Sequence, residues 1–321
     1  MRQTTLLATL LFAGSSLFAA DPQLLSMAPS DANTFVGINV TQAKTSPFGQ
    51  FLLNNLPQDA HIQAFIAKTG FDPRTDLSEV LMAATLTTPA TPEAAGQAIH
   101  PGFSTGLILA KGTFNIAKIL ATAATDQKVQ VSTYAGVQLV TVDGQAAVGL
   151  IDASTAALGD LAAVKAALDR RSGSGSAIDP VIMARINQLS TSEDAWSVSS
   201  HGMFGALPGL GSGASGSAVL QSIQQTSGGV KLGSSVVLTG QAIADNAQDA
   251  ASLSDVAKML SQMVSMHSGS GGPPTELTNM LKSLSITTDG NAVNFSLTLP
   301  EDQLEALVKM VHGNKVSTTV I

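Results

Sequence analysis

Cysteine is absent from this 321-residue chain. That excludes disulfides, thiolate nucleophiles, cysteine metal sites and a lipid-modified N-terminal cysteine, so the fold must stand on its core. Aromatic residues are 4% of the chain, with one tryptophan and one tyrosine, and charged residues only 12%. Platforms on which bases stack need aromatics beside Lys/Arg runs, and no such run occurs. The net charge of −7 repels phosphate backbones, and nucleic-acid binding is therefore discarded. Long hydrophobic runs are also missing. A membrane-spanning helix needs about 20 consecutive apolar residues, and the apolar run from Leu6 to Ala13 breaks at Gly14, Ser15 and Ser16.

What is present is a globular composition, 44% hydrophobic, with a surface that must rely on Ser, Thr, Asn, Gln and Gly. The opening "MRQTTLLATLLFAGSSLFAADP" places Arg2 ahead of the apolar run and small residues at Ala19 and Ala20, the layout of a secretory signal peptide. Cleavage after Ala19 or Ala20 puts Leu17 or Phe18 at the third position before the cut, bulkier than the A-x-A pattern prefers. An uncleaved anchor is the alternative. Removal of residues 1–20 leaves a chain long enough for two domains of ordinary size or one large one.

Along the chain, "DANTFVGINV" reads as a strand, and "SPFGQFLLNNL" and "AHIQAFIAKTG" as short helices. Asp76 and Glu79 have capping-box spacing ahead of a strand from Val80 to Thr87. A Pro/Thr/Ala-rich loop leads to the strand "FSTGLILAKG" and a helix from Phe114 to Ala124. In the meander "VQVSTYAGVQLVTVDGQAAVGLI", Ala135-Gly136 and Asp143-Gly144 read as hairpin turns, since both turn positions need positive φ. Asp160 is placed to cap a helix with Leu161, Val164 and Leu168 on one face. The Gly/Ser stretch "SGSGS" then reads as a connector.

Beyond it, Asp179 and Pro180 open a helix with Ile182, Ile186 and Leu189 on one face. The tryptophan strand "SEDAWSVSSHG", a Gly-rich loop, a short helix "SAVLQSIQQ" and a strand "KLGSSVVLTGQAI" follow. The longest helix runs from Asn246 to His267, burying Leu253, Val256, Leu260 and Val264. The loop "SGSGGPP", a helix "TELTNMLKSL", the hairpin "SITTDGNAVNFSLTL" and the helix "EDQLEALVKMVH" close the chain.

Three blocks recur in order: an Asp-Ala strand at Asp31 and Asp194, a strand reaching glycine before a helix at Gly112 and Gly240, and "VDGQAAV" at 142–148 against "TDGNAVN" at 288–294. Repeats of this size point to two related lobes, not to a solenoid of short units. The expected organisation is a signal peptide at 1–20, an N-terminal lobe at 21–171, a linker at 172–178, a C-terminal lobe at 179–313 and a polar tail at 314–321. Each lobe is expected to be α+β, an antiparallel sheet with helices mainly on one face, from a tandem duplication.

The candidate chemistry is thin. Gly211, Gly213 and Gly216 match G-x-G-x-x-G before a helix, but no acidic residue follows about 20 positions on, and a mobile loop explains them. His61, His100, His201, His267 and His312 have no metal-ligand spacing. No G-x-S-x-G signature appears among the abundant serines. Asp72 and Asp76 lie in a turn and cap beside Arg74. Asn39 and Asn294 begin sequons in form but fall in expected strands. Trp196 reads as a core or lobe-interface residue. No catalytic, cofactor-binding or metal-binding residue is assigned, and no cofactor.

"MAPSDANTFVGINVTQAKTSPFGQFLL" at 27–53, with "GFDPRTDLSEVL" at 70–81, resembles the opening of a group of uncharacterised exported bacterial proteins. The resemblance is firm over roughly the first 80 residues and pattern-level beyond. It implies export to the periplasm or the extracellular space and an α+β fold, and it brings no catalytic residues. Two functions are carried forward from the residues. One is a non-enzymatic envelope protein acting through a protein partner. The other is a carrier of an apolar ligand, motivated by Met259, Met263 and Met266 on the longest helix, because methionine lines adaptable pockets. A hydrolase with an unrecognised site is a third.

Overall fold

The computed structural model describes residues 20–54, 60–86, 103–173, 177–200, 221–266, 283–301 and 303–304. The expected signal peptide up to Ala19, the centre of "SGSGS", the glycines at 211, 213 and 216, and most of "TELTNMLKSL" and the last helix lie outside them.

The first half opens with α1 (Pro22–Met27), β1 (Thr34–Asn39), α2 (Val40–Ala43), α3 (Pro47–Asn54), α4 (Ala60–Thr69) and α5 (Pro73–Asp76). It continues through β2 (Leu77–Leu86), β3 (Phe103–Gly112), α6 (Ile116–Ala123), β4 (Val129–Tyr134), β5 (Val137–Val142), β6 (Ala146–Asp152), β7 (Thr155–Asp160) and α7 (Leu161–Ser172). The second half holds α8 (Pro180–Ser192), β8 (Ala195–Ser199), β9 (Ile223–Leu232), β10 (Ser235–Ala244), α9 (Ala247–Met266), β11 (Ser285–Asp289) and β12 (Ala292–Pro300).

The α+β class holds, and every strand pairing is antiparallel. The strands of the two halves form one sheet of twelve, in the order β11-β12-β10-β9-β8-β1-β2-β3-β7-β6-β5-β4. Two separate sheets would leave β1 and β8 as open edges with unpaired N–H and C=O groups, and pairing them satisfies both. Helices also cover both faces. α7 packs on β3, β6 and β7 with α1 against it, and α8 packs on β8, β9 and β1. These share one face and enclose the main core, where Leu24, Met27, Phe35, Leu81, Leu107, Leu109, Leu139, Val164 and Ile186 are fully buried. On the opposite face α6 seals the β4–β7 end and α9 the β10–β12 end, each over its own smaller cluster.

The halves trace the same path. β1-β2-β3, α6 and a hairpin whose last strand, β7, returns beside β3 are matched by β8-β9-β10, α9 and a hairpin whose last strand, β12, returns beside β10. The hairpin β4–β5 is extra in the first half. By position, the β11–β12 turn therefore corresponds to the β6–β7 turn, one hairpin later than the likeness between 142–148 and 288–294.

Local chemistry explains most boundaries. Asp179 accepts from the amides of Val181 and Ile182, with Pro180 at the first helical position. Ala135 and Gly136 have φ of 48° and 77°, and Asp143 and Gly144 51° and 69°, the doubled positive φ of tight hairpins. Other expectations need correction. Asp76 does not cap a helix ahead of Glu79: its Oδ2 accepts from the Asp72 amide, Asp72 caps α5, and Glu79 lies within β2. Residues 223–225, read as the end of a helix, begin β9, and "KLGSSVVLTGQAI" spans the β9–β10 turn. Gly228 and Gly229 weaken the strand pattern there, and pairing to β8 and β10 on both sides overrides it.

Candidate functional site

At the seam of the two halves Trp196 faces Gly37 across β8 and β1. The ring is 5% exposed, and a Cβ at position 37 would stand 2.3 Å from its Cε2 and Cζ2. Trp196 thus belongs to the core and the interface between the halves, as its flanking strand residues imply. Beside it, Asp194 is buried and bound by Lys231 Nζ at 2.7 Å and the Leu232 amide at 2.7 Å. The two seam strands are further joined by a 2.9 Å hydrogen bond between the buried hydroxyls of Thr34 and Ser199.

Turning over the same strands leads to the opposite face, where successive side chains alternate sides. The register lines up Ser197, Val36, Met82, Ile108 and Leu158 in one row across β8, β1, β2, β3 and β7. The neighbouring row runs Ala195, Ile38, Val80, Ala110 and Ala156. Ile38 and Ile108 are each 40% exposed, and Val36 and Met82 are partly exposed. At its β7 side this strip passes under a third cluster, in which Phe71, Phe114 and Ile119 pack over Ala110, Ala156 and Leu158. Its exposed part, around Ile38 and Ile108 with Val36 and Met82, is apolar sheet that no described helix buries, and the sequence did not reveal it. The signal that existed was in β3, whose "LILA" is apolar on both faces although Ile108 stays 40% exposed.

Among the described residues the titratable groups do not assemble into a catalytic array. Asp72 is clasped by Arg74, with Nε at 2.9 Å and a second nitrogen at 2.6 Å. Those bonds hold the Asp72 carboxyl below the usual carboxylate range. Asp76 binds the Asp72 amide and the Thr75 hydroxyl, so both carboxylates serve the turn. Among the described residues no three His, Asp or Glu side chains gather as metal ligands. The side chains of all five histidines lie outside that set. Asn39 caps α2 by accepting from the Gln42 amide, and Asn294 accepts from Gln241. Met259 is 55% exposed, so it faces solvent and lines no pocket; the side chains of Met263 and Met266 lie outside the described set.

No protein-family model and no curated protein matches the chain. Among solved structures it is similar to TP0453. Against crystal form I the TM-score is 0.52 at 10% identity, covering 90% of this chain and 97% of that one. Against crystal form IV it is 0.50 at 8% identity, covering 88% and 95%. The likeness is one of fold, and it embraces both halves of the sheet.

Proposed function

We propose that this chain is an exported, non-catalytic protein that acts through protein contacts, with the uncovered strip around Ile38 and Ile108 at the centre of its contact surface. The observation that carries this reading is the exposure of two large β-branched residues in adjacent rows near the middle of the sheet. Export is supported by the layout of residues 1–20 and by the resemblance over residues 27–81.

The strip's size bears on the kind of contact. Its exposed part, three strands at about 4.8 Å spacing and three residues along each, has an area of about 150 Å². One side of a stable protein–protein interface buries about 800 Å². A partner therefore covers the strip only by extending over its polar flanks, and a reversible contact fits better than a permanent one. The carrier reading loses its support at Met259, whose side chain is 55% exposed.

Native mass spectrometry of the protein gently released from the cell envelope tests the reading. The expected result is a complex with another protein that is lost in an Ile108→Lys variant of unchanged fold. A small apolar adduct at fixed stoichiometry would overturn it in favour of the carrier.

A further inference from the structure

The described chain enters the core at its first residue. Ala20 is 5% exposed within the main core, and Leu24, Leu25, Met27 and Ala28 behind it are buried. Between this anchor and the sheet lies a polar cluster. The Asp21 backbone nitrogen donates to Glu79 Oε1 at 2.9 Å. Asp21 Oδ1 accepts from the Gln23 and Leu24 amides, and Oδ2 stands 3.3 Å from Lys111 Nζ. Lys111, the cross-strand partner of Glu79, also donates to Gln23 Oε1 at 2.6 Å.

The cluster is short of positive charge. Lys111 is the cation shared by the carboxylates of Asp21 and Glu79, and it acts on Asp152 as well. Burial pushes the Glu79 carboxyl up, the Asp21 charge pushes the same way, and the Asp21 amide and Lys111 oppose them. In the uncut chain the nitrogen that donates to Glu79 is a neutral amide, at the place where a cation would balance the site.

We propose that cleavage between Ala20 and Asp21 converts that nitrogen into an α-ammonium that ion-pairs with Glu79, fastening the new N terminus to β2. The proposal rests on the export reading. Water adds across the Ala20–Asp21 peptide bond under a leader-cleaving endopeptidase; the carboxylate leaves on Ala20, and the Asp21 nitrogen takes up the protons. Because Ala20 is buried once the chain has folded, the cut precedes folding. An ammonium brings three donors and a full charge where the amide brought one donor, and charge-assisted hydrogen bonds are roughly twice as strong as neutral ones.

The test begins with intact mass and N-terminal sequencing of protein taken from the envelope. Asp21 is the expected first residue. A start at Ala20 or elsewhere overturns the ion pair and leaves export standing, whereas a cytoplasmic chain that retains Met1 overturns both. The second measurement is the rate of acylation of the α-amine near pH 7.5. A free α-amine titrates at about 7.7–8.0, and pairing that raises this by about one unit slows acylation at that pH about sevenfold relative to Glu79→Gln. Equal rates overturn the proposal. Should Glu79→Gln not fold, the mature chain with one added glycine ahead of Asp21 keeps Glu79 and displaces the amine. Its acylation is expected to be faster by a similar factor, and an unchanged rate overturns the proposal.

Discussion

Trp196 lies over the bare Cα of Gly37, its cross-strand partner, so that the largest side chain of one half packs on the smallest of the other. An aromatic ring over a strand glycine covers backbone that would otherwise be poorly packed. The pair also joins the two halves into one sheet. A substitution here acts on the joint between halves as well as on local packing.

Gly37→Ala is therefore expected to destabilise the protein by about 1–3 kcal/mol through overpacking, and Trp196→Ala by about 3–5 kcal/mol. Urea unfolding followed by far-UV circular dichroism measures both. In the wild type the sole tryptophan reports the seam directly, and its emission should shift to the red at the same urea concentration as the ellipticity is lost. An earlier fluorescence transition would show that the halves part before they unfold.

Asp194 offers a second probe of the same region. Its carboxylate is buried while the Lys231 side chain is about half exposed, at 46%, so the Leu232 amide and burial matter more than the screened charge. Asp194→Asn is expected to cost about 1–3 kcal/mol. Lys231→Gln should cost less than Asp194→Asn by the same urea assay.

Two neighbouring residues on β3 separate contact from stability. Leu109 is fully buried in the main core, and Leu109→Ala is expected to cost about 2–5 kcal/mol. Ile108 points to the other face, and Ile108→Lys should change stability by no more than about 1 kcal/mol. Under the proposed function, Ile108→Lys weakens partner capture and Leu109→Ala does so only in proportion to unfolding.

The Asp72–Arg74 clasp gives a pH dependence. A carboxyl whose pKa is depressed on folding contributes stability above its unfolded value, and that contribution is lost as pH falls through the folded value. Asp72→Asn should cost about 1 kcal/mol at neutral pH, chiefly through the weakened cap on α5. The gap between variant and wild type should narrow below about pH 4 in thermal melts at a series of pH values.

The fold was legible wherever local chemistry decided it. Asp179-Pro180, Ala135-Gly136 and Asp143-Gly144 each state a backbone conformation that neighbouring residues cannot overrule. The same kind of signal at Asp21-Pro22 was available for α1, but it stood directly behind a segment read as a leader. β7 was missed because "TAALGD" is rich in alanine, and only its pairing with β3 and β6 makes it a strand. Residues 223–225 failed for a related reason. Ile223 fits a helical face as well as a strand, and the choice is made by β8 and β10, distant in sequence. The strip escaped because exposure of Ile38 and Ile108 depends on where the described helices lie across the sheet. No periodicity within one strand reports that.

The seam also sets the order of events during folding. Thr34 and Ser199, which close it, are 165 positions apart in the chain. At synthesis rates of about 5–20 residues per second, β1 waits on the order of 10–30 s before β8 exists to pair with it. During that interval its outer edge presents unpaired backbone to any strand nearby, which is the circumstance that favours aggregation or exchange between copies. The first half thus depends on the late arrival of the second, and a chain halted before residue 195 is left with that edge open.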